Sequence, residues 1–427
     1  MKRLGLFAFA AVCVAFVAPA QAAPTASEIV KHYQDMALAM YGEALAKAEA
    51  LDKSIDALLA KPSAETLNAA RESWKTARAP YLQTEGFRFG NKIVDDWEGE
   101  VNSWPLDEGL IDYVDAASYG DKKDDNPLYT ANIIANKKLR IGAKILDAAK
   151  IDKALIKGLN SALDVQANVG TGYHAVEFLL WGQDLNGTGP GAGNRPATDF
   201  DIKACTGANC DRRRDYLKAA TGLLVDDLKD MVKNWQPGGP ARNAIAALKE
   251  SEQLAVIPTG LGSLSYGELA GERTKLGVLL HDTEEEQDCF SDNTHNAHYS
   301  DELGIIAIWN GTFEGEKKLS GPSMAALARE KAPDAAKRLD DAMATALAKT
   351  KAIKDKTDSG GMAYDQMLAA GNDEGNKLIL DASAAFVAQA RAIEAVVAAL
   401  NLKINLEGSK GLEKLGDAGK LDDAKTP

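Results

Sequence analysis

The chain has 427 residues, 45% of them hydrophobic, and a formal net charge of −13. That apolar share excludes wholesale disorder, and 37 glycines without a period exclude a collagen-like repeat. The acidity argues against nucleic acid as a partner, because neutralising phosphates requires a basic face.

The N-terminus reads as an export leader. Lys2 and Arg3 precede the apolar run Leu4–Val17, and Ala20-Gln21-Ala22 supplies a small-x-small cleavage pattern, so a cut is expected after Ala22. A membrane anchor is the competing reading; the run is short for a bilayer and Pro19 follows it at once. Export would place the protein in the periplasm or outside the cell. Three cysteines remain after the cut. Cys205 and Cys210 bracket the turn-forming Thr-Gly-Ala-Asn and are expected to form a local disulfide in an oxidising compartment. A zinc site, or pairing of either one with Cys289, stays open.

Helical periodicity then runs almost throughout. Ile29, Tyr33, Met36, Met40, Ala44 and Ala48 form one stripe, predicting a helix from about Thr25 to Ala60. Ser63 is placed to cap a second helix through Leu67, Ala70, Trp74 and Ala77, with a kink at Pro80. Further helices are predicted at Leu128–Ala149, Asp152–Trp181, Asp211–Trp235, Ala241–Glu252, Glu268–Cys289, Ser323–Thr350 and Lys377–Leu402. No alternating run bounded by hairpin signals stands out, so the expectation is all-α, built from packed bundles. Gln236-Pro237-Gly238-Gly239-Pro240 is the natural break. It divides an N-terminal bundle (23–238) from a C-terminal bundle (239–406), followed by a polar tail (407–427). After the leader, no stretch reads as a membrane span.

Histidine is scarce, only five residues, so each placement carries weight. His174 and Glu177 are three apart in Gly172-Tyr173-His174-Ala175-Val176-Glu177, a spacing that puts an imidazole and a carboxylate on one helix face. They precede Phe-Leu-Leu-Trp and should be partly buried, and a buried charge needs a partner. A metal ion is one such partner. A structural His–Glu hydrogen bond is the other, and it is the commoner use of so short a motif. Glu85 lies among aromatics in Gln83–Phe89, and Asp107 follows Trp104-Pro105-Leu106; both are candidate oxygen ligands. Their ordinary readings are a Glu85–Arg88 helix pair and a helix cap. The segment Ser265–Tyr299 is rich in acids, amides and histidines. It offers Glu268, Arg273, His281, Asp282, Glu285, His295 and His298 as candidates for lining a cleft.

The familiar catalytic signatures are missing. There is no His-Glu-x-x-His, and Phe178 stands where an inverted His-x-x-Glu-His motif needs its second histidine. No P-loop, nucleophile elbow or haem-attachment motif is present.

The Gly-x-His-x-x-Glu stretch Gly172–Glu177, continued as Phe-Leu-Leu-Trp-Gly-Gln-Asp, resembles the hallmark of the imelysin family. Gln83–Phe89, Trp104–Asp107 and Arg195-Pro196 fit the same pattern, and Gly260–Tyr299 resembles the family's iron-regulated protein A branch. The resemblance spans nearly all of the chain after the leader. It implies an exported bacterial protein of two helical bundles related by duplication, with the motif in the cleft between them. It also implies a role in iron uptake, as in the related EfeO-type proteins, and metal ligands at His174 and Glu177, with Glu85 and Asp107 beside them. Gly172, Arg88, Glu268, Arg273, His281, Asp282 and Glu285 would surround the site. Iron suits a carboxylate-rich set with one imidazole, though zinc or another divalent metal accepts the same donors. A membrane iron-transport component is the implied partner. Some relatives carry a peptidase label, so metallopeptidase activity is the alternative, as is a module binding a non-metal ligand in the cleft.

Overall fold

Helix starts are written in local chemistry. Thr25 opens the helix Ala26–Ala60 with a capping box: its hydroxyl accepts from the Glu28 backbone N–H, and the Glu28 carboxylate accepts from the Thr25 N–H at 2.8 Å. Ser63 caps Ala64–Leu82 in the same way. The computed structural model describes residues 23–123, 125–141, 144–404 and 406. The expected leader and the polar tail from Glu407 lie outside the described residues.

The fold is all-α, in two bundles. In the first, Ala26–Ala60 packs along Ala64–Leu82 and Cys210–Asn234, and Gly172–Trp181 fills the space between the last two. In the second, Pro333–Asp358 and Asp373–Ala399 pack together, flanked by Val256–Ser263, Leu264–Lys275 and Thr294–Asn310. Leu264–Lys275 is wound as a π-helix, a rare form associated with functional positions. Asp373–Ala399 is long and apolar enough to cross a membrane by composition alone. Here it is a core helix, with Ile379, Phe386 and Ile393 buried.

Two glycines set how closely the bundles approach. A Cβ on Gly260 would overlap the Gly86 carbonyl, and one on Gly304 would overlap the Gln83 carbonyl. The tight turn Gln83–Phe87 therefore lies directly against two helices of the second bundle. A single hydrophobic core runs through both, from Met40 and Trp74 to Leu264, Ile305 and Phe386.

Several expected helices break where the backbone cannot continue. Leu128–Ala149 is a loop followed by an antiparallel hairpin, Lys138–Ile141 with Lys144–Asp147, and Leu139 sits opposite Leu146. The alternation Lys-Leu-Arg-Ile has a period of two, which is a strand signal. Asp152–Trp181 divides into Lys153–Lys157, the turn Ala162–Asp164 and Gly172–Trp181. Left-handed backbone at Ser161, Leu163 and Asp164 interrupts it. Pro240–Ala246 and Glu250–Gln253 replace one helix at Ala241–Glu252. The helix expected to reach Cys289 stops at Leu280, where His281 turns left-handed at φ 51°. Ser323 caps the next helix, but Pro333 splits the expected Ser323–Thr350 into Met324–Lys331 and Pro333–Asp358. A second small hairpin joins Thr312–Glu314 to Lys318–Ser320. Cys205 and Cys210 are bonded, with Cα atoms 5.9 Å apart, and Cys289 is a buried free thiol.

Candidate metal centre

Every residue of the helix Gly172–Trp181 is buried. Its first residue has φ 81°, and a Cβ there would overlap the Val101 carbonyl, so glycine lets this helix start against the end of Lys92–Val101. The i, i+3 spacing then brings His174 Nδ1 to 3.1 Å from Glu177 Oε2. A loop of the second bundle supplies Asp288, whose Oδ1 lies 3.7 Å from the same nitrogen. His174, Glu177 and Asp288 each offer a ligand atom within 4.8 Å of the others. All three are at most 1% exposed.

Each member is also held by the protein. Ser291 donates to Glu177 Oε1 through both its backbone N–H (3.0 Å) and its hydroxyl (2.6 Å). Asn293 Nδ2 donates to Asp288 Oδ2 at 3.0 Å. Arg78, fully buried on Ala64–Leu82, donates from Nε to Asp288 Oδ1 at 2.9 Å, and its Nη2 lies 3.3 Å from His174 Nε2. A guanidinium has only donors, so Nε2 accepts and the ring proton is assigned to Nδ1, facing Glu177.

The charges follow from this packing. Burial, with Arg78 and Arg273 nearby, pushes the His174 pKa well below the usual imidazole value, so the ring is neutral. Burial and the neighbouring Asp288 carboxylate push Glu177 well up, against the pull of Ser291 and Arg78. Burial works against the Arg78 charge too, but Asp288 and the surrounding acids outweigh it and hold the guanidinium more firmly protonated.

Trp104 packs against this cluster. Its ring centroid is 4.9 Å from that of His174, and its other side lines a cleft of about 610 Å³ between the two halves of the chain. Arg88, Glu98, Glu268, Glu272, Arg273 and Glu285 also line that cleft. Arg273 is its hub: it donates to Glu85 at 2.8 Å, to Glu268 at 3.1 Å and to Asp301 at 3.1 Å. Burial raises Glu98 to about 7 and Asp301 to about 8. For Glu85 burial acts in the same direction, but Arg273 and Arg88 outweigh it and hold that carboxyl low.

Of the residues singled out in the sequence, the structure brings only His174 and Glu177 into one ligand group. Glu85 is bound by Arg273 and by the Tyr81 hydroxyl (2.8 Å). Asp107 accepts from Lys123 and Asn126 at 3.2 and 2.6 Å. Arg88 joins Asp95 to Glu268. His281 Nδ1 pairs with the Leu368 carbonyl at 2.8 Å, and Asp282 accepts from the Glu284 N–H. Asp288, Arg78 and Ser291 escaped sequence reasoning. Arg78 left a trace: it falls in register with Trp74 and Tyr81, a charge within a buried stripe. Asp288 left none, since it sits in an acidic segment where a solvated reading is the ordinary one.

A family model described as Imelysin, which carries a peptidase label, matches residues 37–393. The chain belongs to the imelysin family. It is 35% identical over 71 residues to iron-regulated protein A of Synechococcus elongatus. That stretch covers 16% of this chain and 20% of the relative's length. The crystal structure of an iron-regulated protein A precursor from Parabacteroides distasonis superposes with a TM-score of 0.62 at 16% identity, covering 88% of this chain and 96% of that one. An imelysin-like protein from Psychrobacter arcticum gives 0.58 at 15% identity, covering 90% and 98%. At such identities these two likenesses speak for the fold alone.

Proposed function

We propose that this imelysin-family chain is an exported iron-binding protein of an uptake route, with His174, Glu177 and Asp288 as the ligands. One observation carries the reading: an imidazole and two carboxylates from both halves of the chain converge, buried, against a tryptophan that also lines a cleft. One nitrogen and several carboxylate oxygens make a donor set suited to iron, with zinc the nearest competitor. The iron-related name of the Synechococcus relative points the same way. A membrane transport component is the partner such a role requires.

The burial favours binding over hydrolysis. A metallopeptidase needs an open metal position, a bound water and room for a peptide bond. In the form described here the three candidate ligands face protein on every side. Anaerobic titration of ferrous iron into the full chain, read by calorimetry and X-ray absorption, tests the proposal. About one iron per chain is expected, with loss in His174→Ala/Glu177→Gln and in Asp288→Asn. Unchanged stoichiometry in those variants would remove the site. Chelator-sensitive peptide cleavage, abolished by Glu177→Gln, would favour the peptidase reading instead.

A further inference from the structure

A second group of acids gathers around Asp292, the residue after Ser291. Asp184, from the loop after Gly172–Trp181, meets Asp292 and Asp365 of the second bundle, each offering an oxygen within 4.8 Å of the others. Among the described residues, no arginine or lysine forms an ion pair with any of them. Asp184 accepts only from Asn186, through its backbone N–H and side-chain amide at 2.9 and 2.7 Å. Asp365 is 2% exposed, and neither of its carboxylate oxygens has a hydrogen-bond partner. Asp292 Oδ1 is likewise unpartnered. Glu286, near enough to feel the charges of all three, is 1% exposed, and neither of its oxygens has a hydrogen-bond partner. The Thr294 hydroxyl beside it donates to the Gln287 carbonyl instead.

Burying the Asp365 and Glu286 carboxyls without partners, beside two further partly buried acids, is unfavourable by several kcal/mol unless a counter-charge is supplied. We infer that Asp184, Asp292 and Asp365, backed by Glu286, form a binding site for a hard divalent cation of the calcium type, separate from the His174 centre. The chemistry fits. The donors are all oxygen, with no imidazole or thiolate to attract a softer metal. Two oxygens each about 2.4 Å from a calcium ion lie at most about 4.8 Å apart. The carboxyls also show the strain that a cation would relieve. Burial and mutual repulsion raise Asp292 to about 6, against the pull of Lys75 and the Gly191 N–H, and raise Asp365 to about 7. Glu286 is pushed up by burial and by the same three acids. Asp184 is only partly buried, which leaves the ion a route in.

The position suggests what the ion does. Asp184 comes from the first half of the chain, and Asp292 and Asp365 from the second. The Gly193 N–H already donates to the Phe290 carbonyl at 2.9 Å beside them. A bound cation would fasten the two halves together at the loop that also carries Asp288 and Ser291.

The test uses the full chain, stripped with chelator and titrated with calcium chloride at pH 7.5. One calcium per chain is expected, with a rise in Tm of about 3–5 °C at about 5 mM calcium. Asp292→Asn and Asp365→Asn should each weaken calcium binding at least about tenfold and abolish the Tm rise. Their metal-free Tm should equal or exceed that of the wild type, because repulsion is relieved; this separates lost binding from misfolding. Glu177→Gln should keep the calcium response, so failure of the iron reading leaves this one standing. No binding at 5 mM calcium, a response to magnesium but not calcium, or unchanged binding in the Asp292→Asn/Asp365→Asn double variant would each overturn it.

Discussion

Arg78 Nη2 lies 3.3 Å from His174 Nε2, and through Nε the same guanidinium grips Asp288 at 2.9 Å. This contact decides which end of the imidazole is available. With Nε2 accepting from arginine, the proton sits on Nδ1 and is donated to Glu177. A metal ion on Nδ1 must displace that proton. A neutral ring would then carry its hydrogen on Nε2, facing a second donor. Arg78 therefore opposes metal both by charge and by hydrogen-bond polarity, and loading requires it to turn aside.

Arg78→Gln should consequently bind ferrous iron at least about tenfold more tightly, since a full charge nearby is removed and an amide oxygen can accept from Nε2–H. The same variant should be less stable by about 3–5 kcal/mol, because Asp288 is left buried without its cation. Metal titration and urea unfolding measure the two effects separately. Weaker iron binding in a folded Arg78→Gln protein would contradict the opposing role.

Trp104 is the other control on access. It stands between the His174 ring and the cleft, and its indole N–H is tied to the Glu284 carbonyl at 2.9 Å. Trp104→Ala should speed iron association and release alike, each about tenfold or more, with little change in Kd, because a barrier is removed without touching a ligand. Stopped-flow mixing of iron with the variant, followed by chelator chase, gives both rates. Unchanged rates would mean that iron enters by another path.

The sequence carried the fold well where burial is one-sided. The stripes of Ala26–Ala60 and Cys210–Asn234 and the caps at Thr25 and Ser63 are local signals, and local signals survive folding. It failed at Leu128–Ala149 because the short period-two run Lys138–Ile141 also fits into a longer helical pattern. The candidate site was half legible for a related reason. His174 and Glu177 are helix neighbours, so spacing alone unites them. Asp288 reaches them from 114 positions or nearly so along the chain, as Ser291 does in bonding Glu177, and no periodicity encodes such a contact. Glu85 among aromatics reads in the sequence as a candidate oxygen ligand or as the helix partner of Arg88; in the fold Arg273 binds it, and only packing brings that residue near.

Acid should expose the cost of the buried histidines. Burial, with Arg273 and His295 adding to it, lowers His298 to about 3, and neither ring nitrogen has a partner. In the unfolded chain the ring takes up a proton below about 6.5, while in the folded chain it stays neutral down to about 3. Stability from this residue is thus full above about pH 6.5 and falls as the pH drops, by about 2 kcal/mol at pH 5. His298→Phe removes two unpaired polar atoms beside Tyr364 and should flatten that loss. Urea unfolding of both proteins between pH 4.5 and 7 measures the difference. Parallel curves would show that His298 is not neutral and buried in the folded state.

The disulfide should matter less than its position suggests. Cys205–Cys210 closes a loop of only a few residues, and the chain-entropy argument gives such a short loop about 2 kcal/mol. The segment is also fastened independently: Arg213 donates to the Asp199, Gly207 and Ala208 carbonyls and holds Asp112 through Nε at 2.6 Å. Cys205→Ser/Cys210→Ser should therefore fold, lose about 2 kcal/mol or less in urea with an unchanged m-value, and bind iron as the wild type does. The double variant also leaves Cys289 as the only thiol among the described residues, buried and with its pKa pushed well up by burial and the surrounding acids, so it should resist alkylation in the native state. Rapid labelling of Cys289 in that variant would mean that the bridge holds closed a region the packing alone cannot.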